Sequence, residues 1–407
     1  MKHFLTERSI NLVLRAITIA LKFLLSILVI KKLSIEDYGI FGLFQSTIII
    51  MTFIVGFDFF SFSAREMLKD AAKEFNFYFK HQLLFYFFCY LIVLPLAYYI
   101  FKTGFIDFEY IILFYLITIS EHLSQEIYRV LIILKKTVSA TIVLFIRSGI
   151  WIALLYLFWE FQSVKPKMES LFIFWSIGAA LSVLFGFKYI NFKWVKGVDV
   201  DWIKKGVKIA FPFFVGTILY KVIEFSGRYF LEYYFSTKEV GIFTFFSSIA
   251  NILFVFVQTI VIIEQYPRLI ESKNSENGKF IIMLKLFKKQ TLQFTTIGLV
   301  LSILFIYPLL MYLDKTILFD NILSYIILLF STMLYCFSYI THYALYTHKR
   351  DIDILKATIL GFIFNIVFSF ILIPIYGVLG AAIAQFIAFF IMFIIKYYYW
   401  RKYKLKI

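Results

Sequence analysis

Charged side chains are scarce in this sequence. Asp, Glu, Lys and Arg make up 16% of the 407 residues, whereas 62% of the residues are hydrophobic. A soluble domain of this length needs a much larger share of polar residues to cover its surface. The low charge content therefore excludes a soluble globular protein and predicts a protein embedded in a membrane.

Cysteine and the motifs of common enzymes are also nearly absent. Cys89 and Cys336 lie in separate apolar stretches, so we expect neither a disulfide framework nor a cysteine-based metal site. The sequence has no glycine-rich phosphate loop, no HExxH motif and no GxSxG motif. We therefore expect no enzyme activity, no cofactor and no metal centre.

Long apolar runs recur along the whole chain. A hydrocarbon layer about 30 Å thick takes roughly 20 apolar residues per helix, and helices satisfy their own backbone hydrogen bonds in lipid. Twelve runs have this character: 12–30, 38–60, 82–101, 108–134, 138–160, 170–190, 206–232, 240–263, 291–313, 320–347, 354–375 and 377–399. The sequence therefore predicts an all-α polytopic membrane protein with about twelve transmembrane helices.

Lysine and arginine are unevenly divided between alternate loops. One set of loops, with both termini, contains 28 cations, and the other set contains seven. Cytoplasmic loops are enriched in Lys and Arg, so this bias predicts that both termini are cytoplasmic. It also accounts for the formal net charge of +16 without a nucleic-acid partner.

The two halves of the chain resemble each other. Residues 33–46 are similar to residues 235–248, and the Gly-Ala-Ala triplet at 178–180 recurs at 380–382, both at an offset of 202 residues. Between these matches, a proline in the third helix corresponds to one in the ninth. Ordered matches of this kind indicate an internal repeat, and the triplets are expected to let neighbouring helices approach closely.

Each half contains six of the predicted helices, so the repeat keeps the same topology. We expect two six-helix lobes, residues 1–195 and 196–407, related by a parallel repeat as in many secondary transporters. A substrate path between the two lobes follows from this arrangement.

Ionisable side chains at membrane depth form the candidate substrate site. Each costs about 3 kcal/mol at a helix centre on insertion scales, so it normally faces a cavity or a partner. The candidates are Arg15 and Lys22 in the first helix and Lys221, Glu224 and Arg228 in the seventh. Their positive excess suggests an anion site. Intramembrane salt bridges, or side chains that reach to the membrane surface, are the alternatives.

The fourth helix contains the candidate coupling residues. Glu121 and Glu126 are expected to carry a coupling proton or to hold Na⁺, because buried carboxylates can do either. A neutralised pair with Arg129 or Arg147 is the structural alternative. Asp58, near the end of the second helix, is expected to stay hydrated.

Six short segments resemble one family of exporters. They are 32–40, Gly56-Phe57-Asp58 through Arg65-Glu66, Phe211-Pro212, 237–243, Tyr266-Pro267 and 374–382. The family is that of polysaccharide exporters, with O-antigen and teichoic-acid flippases, in the multidrug/oligosaccharidyl-lipid/polysaccharide (MOP) exporter superfamily. The resemblance implies two six-helix bundles in a V around a central cavity. It also implies a flippase that moves a polyprenyl-pyrophosphate-linked oligosaccharide to the outer leaflet by alternating access, with the pyrophosphate held by cations of the first and seventh helices.

The resemblance further implies partners, a location and competing functions. The substrate would be an O-antigen, capsule or similar repeat unit among membrane lipids of the bacterial cytoplasmic (inner) membrane, with H⁺ or Na⁺ as coupling ion and a polysaccharide polymerase as partner. A multidrug/cation antiporter and a lipid II or teichoic-acid flippase are alternatives in the same superfamily. The excess of intramembrane Lys and Arg favours an anionic substrate. An oligosaccharide polymerase, from a different class, typically needs a large external loop, which is missing here.

Overall fold

The computed structural model describes residues 2–69, 74–161, 165–273 and 279–403. Within these ranges the regular secondary structure is helical, with no β-strand. The α-helices are α1 (Lys2–Lys32), α2 (Ile35–Gly56), α3 (Phe60–Lys69), α4 (Phe75–Lys102), α5 (Ile111–Ile133), α6 (Thr137–Phe145), α7 (Trp151–Phe161), α8 (Met168–Phe187), α9 (Val200–Tyr234), α10 (Thr237–Val257), α11 (Ile263–Lys273), α12 (Lys279–Leu313), α13 (Thr316–Asp320), α14 (Ile322–Thr347), α15 (Asp351–Tyr376) and α16 (Val378–Lys402). Two π-helical segments, Ile146–Ile150 and Gln258–Ile262, continue α6 into α7 and α10 into α11.

Eleven helical stretches in the described part of the chain are long and apolar enough to cross a membrane. Helix α5, predicted from the sequence as the fourth transmembrane helix, is not among the eleven, since it contains several charged and polar side chains. Its 23 residues extend about 35 Å at 1.5 Å per residue, and it packs against α2, α6 and α8. The prediction of an all-α polytopic membrane protein is confirmed.

The second helix ends earlier than its apolar run suggests. The run continues to residue 60, but α2 ends at Gly56. Phe57 and Asp58 both adopt left-handed backbone conformations, with φ values of 49° and 51°. Residues other than glycine rarely adopt this backbone conformation, and it cannot continue a right-handed helix. The chain therefore turns here and restarts as α3.

The chain forms two compact units, Met1–Ile218 and Leu219–Ile407. The division falls inside α9, because the start of this helix packs on the first unit. Trp202 lies with its ring centroid 5.7 Å from that of Phe59 and 4.9 Å from that of Phe62. The lobe division expected between residues 195 and 196 stays a prediction.

Helices α2 and α10 begin in the same way, at the offset of the repeat. Ser34 caps α2 through a hydrogen bond of 2.9 Å from the Asp37 backbone N–H to its hydroxyl oxygen, and the Asp37 carboxylate accepts the Ser34 N–H in return. Ser236 caps α10 and accepts the Lys238 backbone N–H at 3.3 Å. Such caps stabilise a helix by about 1 kcal/mol each.

The Gly-Ala-Ala triplets lie at close helix contacts within each unit. A Cβ atom on Gly178 of α8 would lie 2.7 Å from the Trp151 indole. A Cβ atom on Gly380 of α16 would overlap the carbonyl group of Leu372 in α15. No side chain fits at either position, so the predicted packing role of the triplets is confirmed.

Candidate functional site

The cationic residues predicted in the first unit lie on α1. Arg15 is half-buried, and its Nη2 donates a hydrogen bond of 3.1 Å to the Tyr128 hydroxyl of α5. Lys22 is exposed, and no carboxylate lies within 4.0 Å of its ammonium in the described ranges. It is within electrostatic range of Glu121 and Arg147, which lie beside each other on neighbouring helices.

The π-helical segment Ile146–Ile150 positions Arg147 next to Glu121. A π-helical turn inserts an extra residue into a helix and is common at functional sites. The Arg147 Nε atom lies 3.5 Å from one carboxylate oxygen of Glu121, and the Trp175 indole N–H donates to the other at 2.7 Å. The pairing of Glu121 with Arg147, which was the structural alternative, is therefore present.

Arg15, Lys22 and Arg147 form what we call the first cationic cluster. Its three positive charges exceed the single negative charge of Glu121. Nε of Arg15 and Nη1 of Arg147 are buried N–H groups for which the described residues offer no hydrogen-bond acceptor. A buried donor without an acceptor costs about 1–3 kcal/mol, so an anionic ligand that accepts from these groups would be stabilised.

The second unit has a comparable group on α9. Lys221 Nζ lies 2.7 Å from a carboxylate oxygen of Glu224, and both side chains are about four-fifths buried. The Arg228 side chain is buried, with its guanidinium carbon 4.9 Å from the centroid of the Phe225 ring. Such cation–π contacts stabilise a desolvated guanidinium. Lys221, Glu224 and Arg228 form the second cationic cluster, with two cations and one carboxylate.

The candidate residues thus fall into one set in each unit. Arg15 and Lys22 belong to Met1–Ile218, and Lys221, Glu224 and Arg228 belong to Leu219–Ile407. That the two sets serve one cavity stays a prediction.

Glu126, the second coupling candidate, is held in a saturated hydrogen-bond network. It is 2% exposed. One carboxylate oxygen accepts from Gln82 Nε2 at 2.8 Å and from the Tyr86 hydroxyl at 2.7 Å. The other accepts from Arg129 Nη1 at 2.7 Å, so the alternative pair with Arg129 is present. A coupling role for Glu121 or Glu126 stays a prediction.

A small polar cavity lies beside this network, within the first unit. It lies between the end of α2 and the middle of α5 and has room for about one water-sized guest. Its lining residues are Thr52, Phe53, Gly56, Asp58, His122, Gln125, Glu126 and Arg129. No sequence pattern indicated this cavity, because Asp58 and α5 are distant in the sequence.

Asp58 was expected to be a hydrated residue at a helix end, but it is half-buried at the cavity. Its left-handed backbone conformation turns the carboxylate toward the helix bundle. One carboxylate oxygen accepts from the Ser61 hydroxyl at 3.0 Å and the other from the Thr217 hydroxyl at 3.1 Å. The preceding ring of Phe57 stacks on Phe214, with centroids 4.3 Å apart. Strained backbone of this kind persists where surrounding contacts hold it, often at ligand sites.

Solved structures that share the fold of this chain include the two that follow. One is an inward-facing multidrug resistance MATE family transporter of the MOP superfamily, with a TM-score of 0.76, 15% identity, and coverage of 97% of this chain and 99% of that chain. The other is the lipid II flippase MurJ in an inward closed conformation, with a TM-score of 0.75, 16% identity, and coverage of 96% and 87%. The chain therefore has the fold of MOP-superfamily exporters.

Comparison with known sequences does not assign the chain to a family. No protein-family model matches the chain, and no curated protein matches it. At identities of 15% and 16% the structural likeness shows the fold alone, and the two neighbours are described with different cargoes. The choice of substrate therefore depends on the chemistry of the site.

Proposed function

We propose that this protein is a flippase that moves a polyprenyl-diphosphate-linked oligosaccharide, such as an O-antigen or capsule repeat unit, across the bacterial inner membrane by alternating access. The observation that supports this proposal is the first cationic cluster. It has three cations against one carboxylate on helices of the first unit, and both of its guanidinium groups contain a buried N–H donor that lacks an acceptor among the described residues.

A diphosphate fits this chemistry. An uncompensated ion is strongly disfavoured in a low-dielectric interior, so a carrier must supply opposite charge where the headgroup crosses. Charge-assisted hydrogen bonds supply it, and the planar fork of arginine can bind two phosphate oxygens at once. Arg15 and Arg147 have the free donors for this interaction.

The second cationic cluster is proposed to contact the same headgroup. Glu224 would hold Lys221 while the substrate is absent and release it when the diphosphate competes for the ammonium. Under this proposal a Glu224→Gln variant retains more transport than a variant that lacks a cation. A larger loss in Glu224→Gln than in Arg228→Gln would instead indicate a structural salt bridge.

A multidrug/cation antiporter is the competing function within the fold. Binding of a cationic drug requires negative charge in the pocket, whereas both clusters have a positive excess. A lipid II flippase shares the diphosphate chemistry, so only the sugar distinguishes it. Transport of a fluorescent cationic dye, with no transport of the lipid-linked oligosaccharide, would establish the antiporter in place of our proposal.

The direct test is transport in proteoliposomes. A fluorescently labelled polyprenyl-diphosphate oligosaccharide is incorporated, and a membrane-impermeant reductant reports how fast protected label reaches the outer leaflet. Arg15→Gln and Arg147→Gln should each slow transport at low substrate about 10- to 100-fold, since a charge-assisted bond contributes about 1.5–3 kcal/mol. Arg15→Lys should retain part of the rate.

The control is Lys204→Gln, which removes a cation whose side chain is 74% exposed and should leave the rate unchanged. The double variant Arg15→Gln, Arg228→Gln combines one change from each cluster and should abolish transport while the protein still folds. Wild-type transport by this double variant would contradict the proposed function.

A further inference from the structure

We infer that the polar cavity of the first unit binds a monovalent cation, Na⁺ or hydronium, with Asp58 as its charged ligand. The use of this site to couple transport to a cation gradient rests on the proposed function. The binding itself is argued from the residues that line the cavity.

The charges around the cavity leave a negative excess. Arg129 is paired with Glu126 at 2.7 Å, and its guanidinium carbon lies 5.2 Å from the Phe60 ring centroid. Asp58 accepts two hydroxyl hydrogen bonds, from Ser61 and Thr217, and no basic nitrogen of the described residues lies within 4.0 Å of it. Two carboxylates thus share one guanidinium, and the charge of Asp58 is uncompensated at close range.

Two buried polar atoms of the lining lack partners. His122 is 1% exposed, and its Nδ1 lies 2.6 Å from the Tyr90 hydroxyl, whereas Nε2 has no hydrogen-bond partner among the residues that the structure describes. Thr52 is 7% exposed, and its hydroxyl also has no hydrogen-bond partner among the described residues. Buried polar atoms are normally hydrogen-bonded, so these atoms indicate a polar guest in the cavity.

The lining atoms suit a small, hard cation. Asp58 offers carboxylate oxygens, Thr52 a hydroxyl and Gln125 an amide oxygen, and oxygen ligands are those that hard cations prefer. The free space of about 10 Å³ takes about one water-sized guest, so a Na⁺ ion here would be held directly by the lining oxygens. The diphosphate of a substrate would be repelled here by Asp58 and Glu126. Hydronium is the second form of the same guest, because it can pass its proton to the Asp58 carboxylate and leave a water that donates to His122 Nε2.

The test is Na⁺ binding to the purified full-length protein in lipid nanodiscs, measured with radioactive Na⁺ and without transport. Saturable binding is expected, weakened at least about tenfold by Asp58→Asn and also weakened by Thr52→Val, which has nearly the same shape and keeps the carboxylate. Asp320→Asn, a matched change at an exposed carboxylate, should bind as wild type does. If Asp58→Asn does not fold, Thr52→Val decides the outcome.

The hydronium arm uses the infrared band of a protonated Asp58 carboxyl, which is identified by its loss in Asp58→Asn. If the cavity holds hydronium, Na⁺ does not bind, and the pH midpoint of this band moves by about one unit or more in His122→Gln but stays in place in Asp320→Asn. The inference is overturned if Na⁺ does not bind and the midpoint is unmoved. It is equally overturned if Na⁺ binds alike to wild type, Asp58→Asn and Thr52→Val.

Failure of this inference is distinguishable from failure of the proposed function. A protein that binds Na⁺ through Asp58 but does not move the lipid-linked oligosaccharide would refute only the flippase. A protein that moves the lipid but binds no cation in this cavity would refute only the site.

Discussion

Replacing Glu126 with glutamine tests whether this carboxylate stabilises the fold or carries a coupling ion. The change keeps the size of the side chain but removes the negative charge 2.7 Å from Arg129 Nη1. It also replaces one acceptor of Gln82 and Tyr86 with an amide that can point an N–H group at them. Arg129 would then be a partly buried cation without its hydrogen-bonded counter-ion.

The magnitude follows from the burial of the pair. Removing one partner of a buried ion pair costs about 3–5 kcal/mol, because the other charge stays buried without compensation. The Glu126 side chain is 3% exposed and that of Arg129 27% exposed, so solvent screens the arginine in part. We therefore expect a loss near the lower end, about 3 kcal/mol. Glu126→Gln combined with Arg129→Gln should lose less than the sum of the two single changes.

A matched control is available in the same unit. Glu160 pairs with Lys32 at the same distance of 2.7 Å, but the two side chains are 36% and 31% exposed. Exposed pairs contribute only about 0–1 kcal/mol, so Glu160→Gln should change the unfolding free energy little. The free energy of unfolding is measured in lipid bicelles by trapping the unfolded state with a bound tag. Wild-type stability of Glu126→Gln, together with transport that no longer responds to H⁺ and Na⁺ gradients, would refute this reasoning and establish a coupling residue.

Three further predictions concern orientation, pH and helix capping. In a background without native cysteines, an impermeant maleimide should label Lys165→Cys but not Lys193→Cys in intact cells, and the reverse pattern would overturn the predicted orientation. Burial lowers the pKa of His348, and the nearby Lys273 ammonium adds to this effect. The Nε2 atom of neutral His348 accepts a hydrogen bond from Lys273 Nζ at 2.8 Å. This contact is therefore fully present above the usual histidine pKa of about 6.5. It is lost as the pH falls through the lowered pKa of His348. The protection of α11 amides from hydrogen exchange, taken relative to the intrinsic exchange rate at each pH, should therefore fall at acid pH in wild type but not in His348→Gln. An equal fall in both proteins would contradict this prediction. Ser34→Ala should cost about 1 kcal/mol of unfolding free energy and more than Ser236→Ala, since the Ser34 hydroxyl accepts its capping N–H at 2.9 Å and the Ser236 hydroxyl at 3.3 Å. Equal losses would show that the shorter bond adds nothing.

The apolar runs predicted the helices because the hydrocarbon layer imposes both length and composition on each crossing. The close packing at the Gly-Ala-Ala triplets could also be predicted from the sequence, since only very small residues allow such close helix contacts. The end of α2 could not be predicted from the sequence, because Phe57 and Asp58 adopt a backbone conformation that is rare for their residue types. The cavity was missed for a related reason. Asp58 meets His122 and Glu126 only through tertiary packing, which no local pattern records.

The sequence shows which charged residues lie at membrane depth, but it does not show what role each of them has. Every buried ion needs a compensating group, either another side chain or a ligand, and both cases look the same in a list of residues. Atomic partners separate them. Glu126 has three donors and is compensated by the protein itself. Arg147 pairs with Glu121, but its Nη1, like the Nε of Arg15, has no acceptor among the described residues. The proposed function supplies such an acceptor, in a group that crosses the membrane with negative charge.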